Sequence, residues 1–136
     1  MLETIKSYLH RAYQRQRSFR EGRRGTVYTI AHDADSLRLS WLTLENEKGE
    51  RTLPWCDVVS INASKRDLYA VDLICLAIRL KDGSAVEINE EMSGWDSLVQ
   101  KLPEYLPRCA TWGEWFEAVA FPPFQLNITA IYQRGA

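Results

Sequence analysis

With only two histidines and three cysteines among 136 residues, the chain is poor in the side chains that most often do chemistry near neutral pH. His10 falls in the amino-terminal segment and His32 in "AHDADS". Neither is accompanied by a Gly-x-Ser-x-Gly elbow, so a Ser-His-Asp hydrolase is not supported. No Walker loop and no Gly-x-Gly-x-x-Gly fingerprint occurs, which removes nucleotide binding by those routes. Cys56, Cys75 and Cys109 are odd in number and widely spaced, so they form no zinc pair. They read as reduced, buried thiols of a cytosolic protein. No stretch approaches the ~20 apolar residues that cross a bilayer. "MLETIKSYLHRAYQ" lacks the unbroken apolar core of a signal peptide, and the Asn127-Ile128-Thr129 sequon then reads as a chance match. Glycine and proline are sparse, at seven and five, which argues against a disordered chain.

What is present is the material of one globular domain: 46% apolar residues, 26% charged, and five tryptophans. The net charge of −1 hides an asymmetry. Residues 1–24 hold Lys6, Arg11, Arg15, Arg17, Arg20, Arg23 and Arg24 against Glu3 and Glu21, a net +5, leaving −6 for the remainder. In that segment Leu2, Ile5, Leu9, Ala12, Tyr13 and Gln16 share a helical stripe, which predicts a basic amphipathic helix. Such a helix suits an anionic membrane or an acidic partner, or it packs its stripe on the domain. "GRRG" matches the Gly-x-x-Gly loop of KH domains, but that loop needs a helix on both sides and a strand follows here, so nucleic acid is not expected.

Residues 25–136 read as a single domain. The apolar period is two in "TVYTI", "SLRLSWLTL", "DVVSINAS", "DLICLAIRL" and "AVEIN", which predicts five antiparallel strands in a meander. "ENEKGER" and "LKDGSA" are hairpin joints, the second with a strong Asp82-Gly83 signal. "SKRDLYAV" reads as a loop or as continued strand. In "DLICLAIRL", Ile74, Leu76, Ile78 and Leu80 share one face and the strand is expected to lie centrally. Ser93 and Asp96 are spaced as a capping box before Trp95, Leu98, Val99 and Leu102, with one further turn past Pro103 before Pro107. Thr111 and Glu114 form a second box ahead of Trp112, Trp115, Phe116 and Val119. Phe124 to Tyr132 alternates, as a last strand or an extended arm. The fold class expected is α+β: an antiparallel meander sheet or partly open barrel, followed by a capped helix.

This order of elements resembles the bacterial pleckstrin-homology-like domains over roughly residues 25–107, through "LPWCDVVSI" as a turn into a strand and "IRLKDGSAVEI" as a hairpin. The resemblance implies a small curved sheet with a helix at one end, in a protein that binds lipid, peptide or protein without doing chemistry. Phosphoinositide-binding members carry basic residues in the loop between the first two strands. Here that loop holds Asp33 and Asp35, which repel a phosphate head group.

Two acidic features invite a functional reading. "HDAD" offers His32, Asp33 and Asp35 to a divalent cation, or else its aspartates shape a turn. "VEINEEMSGWDSL" gathers Glu87, Glu90, Glu91 and Asp96; strand alternation accounts for Glu87 and the cap for Asp96. A further acidic group is Glu45, Glu47 and Glu50. A compact, acidic, aromatic-rich domain of this size looks like the immunity proteins that neutralise secreted toxins. On that resemblance Glu87, Glu90 and Glu91, with an exposed Trp95 or Trp112, form a charged patch with an aromatic anchor for a basic partner. No cofactor is expected, and the alternative role is a peripheral membrane module attached through residues 1–24.

Overall fold

The structure is a computed structural model and describes residues 26–68, 71–120 and 128–135, excepting the side chains of 66–68, 71 and 72. The helix expected over residues 1–24, with Lys6, Arg11, Arg15, Arg17, Arg20, Arg23 and Arg24, lies outside the described residues, as do His10 and "GRRG".

The class is α+β. Among the described residues, seven strands form two antiparallel sheets joined by no closed barrel, and two helices accompany them. The first sheet contains β1 (Val27–His32), β2 (Ser36–Leu42) and β3 (Lys48–Pro54) in that order. The second contains β4 (Val58–Leu68), β5 (Val71–Leu80), β6 (Ala85–Asn89) and β7 (Ile128–Gln133), in the order β6-β5-β4-β7. A short 3-10 turn, Trp55–Asp57, carries the chain from one sheet to the other. Strand alternation turns Ile30, Leu37, Leu39 and Leu53 of the first sheet inward. Ile61, Ala63, Ile74, Leu76, Ile78, Val86 and Ile88 of the second join them in one core. Each large aliphatic side chain buried in this way contributes about 1.5–3 kcal/mol.

β3 was not among the expected strands. "ENEKGER" reads as a joint, but its second half is strand, because the hairpin loop covers only Thr43 to Glu47 and Leu42 pairs directly with Lys48. β3 escapes a hydrophobicity pattern since its inward positions are Gly49, Arg51 and Leu53. Gly49 is bare because the Trp41 indole occupies the space where a Cβ would stand, and Arg51 donates to Ser84 Oγ at 3.0 Å. The stretch "SKRDLYAV" is continued strand on both sides, paired from Val58 to Leu68 with β5. β5 is central, as its pattern implies. The Asp82-Gly83 hairpin forms with Gly83 at φ 88, and the Ser84 N–H and hydroxyl both donate to Asp82 Oδ1.

α1 (Trp95–Tyr105) buries Trp95, Leu98, Val99 and Leu102 and continues through Pro103 to a C-cap at Leu106. Its start differs from expectation. The Ser93–Asp96 capping box does not form, and Gly94, at φ 93, is the N-cap without a side-chain bond. Ser93 is engaged elsewhere: its carbonyl accepts from Ile30 N–H at 2.7 Å and its N–H donates to the Tyr28 carbonyl, making a parallel bridge to β1. A Cβ at Gly94 would run into the Ile30 carbonyl oxygen, so this crossing requires glycine. α2 (Trp112–Ala120) packs against β4 and β7. Half of its predicted box is present, with Glu114 Oε1 accepting from the Thr111 N–H and hydroxyl at 3.3 and 2.8 Å. Lys65, buried on the inner face of β4, donates from Nζ to the Ala120 carbonyl at 3.0 Å. The ammonium thus meets the negative end of the α2 dipole. β7 is a true strand from Ile128 on and is locked by Arg134, whose Nε and Nη2 donate to the Val58 and Trp55 carbonyls.

Candidate functional site

The acidic stretch does not present the patch expected of it. Glu87 lies exposed on the outer face of β6, opposite Ala77. Glu90 is buried, with 6% of its surface exposed. Its Oε1 accepts the Ile74 N–H at 3.0 Å while its own N–H donates to the Ile74 carbonyl at 3.1 Å. The carboxylate thereby extends the β5–β6 ladder by one rung after β6 has ended, a structural task that draws it inward. Glu91 is half-buried, its N–H donating to Asn89 Oδ1. Trp95 is interior at 2% exposure, with Nε1 unpartnered, because the first turn of α1 turns it into the core. Trp112 is half-buried against Trp115 and Phe116, ring centroids 4.8 and 4.3 Å away. It rides on α2, beside β4 and β7, whereas Glu87 sits on β6 at the opposite edge of that sheet. Glu90 and Trp95 are therefore corrected to core positions, and Glu87, Glu91 and Trp112 do not converge.

At the carboxyl end of β1 the fold assembles a cluster that sequence spacing could not reveal. His32 Nδ1 lies 2.6 Å from the Tyr105 hydroxyl and Nε2 lies 2.9 Å from Ser97 Oγ. Tyr105 stacks on Trp55 with ring centroids 5.1 Å apart, and Trp55 Nε1 donates to the Asp33 carbonyl at 2.8 Å. Both ring nitrogens of His32 are thus engaged by hydroxyls, one from each end of α1. The cluster is a polar staple between β1 and α1.

Asp33 and Asp35 shape the β1–β2 turn. Asp33 Oδ1 accepts from the Asp35 and Ser36 N–H groups, both at 2.9 Å, and the bond from Ser36 leads in holding its pKa below the usual carboxylate value. Among the described residues no three His, Cys, Asp or Glu side chains gather as a metal site. Cys75 and Cys109 are buried thiols, and burial pushes Cys109 up to about 11. Cys56 departs from the expectation of burial: it is exposed, because the 3-10 turn that carries it lies at the surface between the sheets.

The other end of the first sheet is apolar, and none of the described residues covers it. Val27 pairs with Leu42 on its outer face, and Tyr28 pairs with Trp41 on its inner face, ring centroids 6.4 Å apart. Beyond them Leu44 rides at the apex of the β2–β3 hairpin. The hairpin loop is closed by three hydrogen bonds: the Thr43 N–H donates to the Glu47 carbonyl, the Asn46 N–H to the Thr43 carbonyl, and the Glu47 N–H to Thr43 Oγ1. Exposures of 46% for Val27, 37% for Tyr28, 39% for Leu42 and 68% for Leu44 put most of the large exposed hydrophobics of the described residues in this one place. Glu45 and Glu47 are exposed in the loop beside Leu44, Lys48 is exposed opposite Leu42, and Glu50 lies farther along β3 in a shallow pocket shared with Arg38. The end of "SLRLSWLTL" looked like strand, so sequence periodicity hid Leu44 as a strand residue when it is a loop apex.

Compared with protein-family models, curated proteins and solved structures, the chain matches none. Among the described residues no helix is long and apolar enough to cross a membrane.

Proposed function

We propose that this chain is a non-enzymatic, cytosolic protein-binding module, most concretely an immunity-type protein that neutralises a partner toxin by occlusion. The layout supports a pleckstrin-homology-like arrangement: two antiparallel sheets, a 3-10 turn between them at "WCD", and α1 packed beside β1 after the last hairpin. The observation that carries the reading is the apolar end of the first sheet, where Val27 and Tyr28 of β1 and Leu42 and Leu44 of the β2–β3 hairpin are exposed. A leucine at a hairpin apex gains nothing from the fold, and clustered exposed apolar groups mark contact surfaces.

The membrane alternative depends on residues 1–24, outside the described residues, and the carboxylates around the apolar end work against anionic lipid there. Co-expression with the product of the adjacent gene tests the proposal. Co-elution on size exclusion, with relief of any growth inhibition that product causes, is the expected result. Separate elution together with unrelieved inhibition would overturn the reading.

A further inference from the structure

We infer that the β2–β3 hairpin end is a wedge that enters an apolar cleft with a cationic rim on a partner protein. This inference rests on the binding-module reading and adds the place and the chemistry of contact.

Three observations converge. First, the end is apolar on both faces: Val27 and Leu42 on one, Tyr28 and Trp41 on the other, and Leu44 at the tip. A surface meant for a flat partner needs one apolar face, whereas a wedge needs two. Second, the hairpin loop is closed by its own hydrogen bonds. The Thr43 hydrogen bonds close the loop, Asn46 takes the left-handed conformation at φ 63 that the turn needs, and Gly49 seats the Trp41 indole on β3. Preorganised aromatic and aliphatic anchors lose little entropy on docking. Third, from Trp41 to Glu50 the hairpin carries Glu45, Glu47 and Glu50 against Lys48. Glu45 and Glu47, next to Leu44 at the tip, fit a partner whose cleft is bordered by arginine or lysine, while Glu50 lies nearer Arg38; the Tyr28 and Trp41 rings add cation–π acceptors for the same side chains. The staple at His32 lies at the far end of β1, roughly 17 Å away at 3.3–3.4 Å per residue, so the two features are separable by mutation.

The test is a two-dimensional NMR titration of the full chain with a synthetic peptide alternating arginine and leucine, against a matched peptide alternating glutamate and leucine. The expected result is movement of the Trp41 indole N–H and the Val27, Tyr28, Leu42 and Leu44 amides with the arginine peptide alone. The Leu44→Asp variant and the triple variant Glu45→Lys, Glu47→Lys, Glu50→Lys should each weaken binding about tenfold or more, and added salt should weaken it further. All four positions are exposed, so folding is expected to survive, and the unperturbed core resonances check it. Equal response to both peptides, or shifts that leave the hairpin still, overturns the inference. So does movement of the Trp41 resonance in Arg23→Glu, Arg24→Glu without peptide, which would assign the wedge to the chain's own amino-terminal segment. A leucine-44-dependent dimer in sedimentation would likewise overturn it in favour of self-association. A co-eluting partner whose binding ignores both variants would sink the wedge while leaving the binding-module reading standing.

Discussion

Gly94 is held at φ 93 with its Hα side against the Ile30 carbonyl oxygen, at the point where β1 crosses the start of α1. Two penalties act together there: a side chain would be strained at that φ and would also displace β1. Gly94→Ala is therefore expected to cost at least about 2 kcal/mol, whereas Gly83→Ala, with an equally positive φ but open space around it, should cost about 1 kcal/mol. Urea denaturation of the two variants side by side measures the difference, and equal losses would show that the Ile30 contact is unimportant. Asp33 supplies a pH signature at the same scale. Its folded pKa is depressed, mainly by the Ser36 N–H, so the stability it contributes is fully present above the unfolded value near ~3.9 and is lost as pH falls through the lower folded value. The urea midpoint of the wild type should drop on acidification below about pH 4. In Asp33→Asn, which keeps an acceptor oxygen but does not titrate, that drop should be shallower; identical acid profiles would contradict the assignment.

Elements whose registration depends on repeated apolar positions were legible. β5 with Ile74, Leu76 and Ile78, the Asp82-Gly83 hairpin and the stripe of α1 all follow from spacing, because every second or every third to fourth side chain is apolar and buried. β3 was not, since Gly49 and Arg51 interrupt its inward row for reasons located on Trp41 and Ser84. Glu90 and Trp95 were misplaced for a related cause. Whether a carboxylate at a strand end faces water depends on an unpaired N–H in the neighbouring strand, here that of Ile74, which local sequence does not display. The His32 staple joins positions 65 and 73 residues apart, beyond any periodicity. It carries its own prediction as a connector between β1 and α1. Tyr105→Phe removes the hydroxyl that bonds Nδ1 and should cost about 1 kcal/mol. The His32 Nδ1 shift should move with it, and an unchanged urea midpoint would refute the connector role.

At the scale of the whole molecule the two sheets differ in how firmly they are held. The β4–β5 pair is the longest ladder, and Ile61, Ala63, Leu76 and Ile78 at its centre are fully buried. Among the described residues, β1 has β2 on one side and only the Ser93 bridge on the other. Native-state hydrogen exchange should therefore be slowest at Ile61–Ala63 and Leu76–Ile78 and at least about tenfold faster at Val27 and Tyr28; uniform protection would mean that the sheets open as one unit. The candidate contact surface belongs to the sheet expected to be less protected, and it is half legible in the sequence: the carboxylates Glu45, Glu47 and Glu50 stand out as a group, but the exposed Leu44 just before them does not. The pairing of β7 with β4 has a bearing on synthesis. From Leu68, where β4 ends, to Ile128, where β7 begins, is 60 residues, which takes roughly 3–12 s at about 5–20 residues per second. Throughout that interval the β4 edge that will receive Ile128–Gln133 is bare on the nascent chain, a template for stray strands. The ribosome-bound intermediate, more than the finished protein, is thus the form most in need of a chaperone.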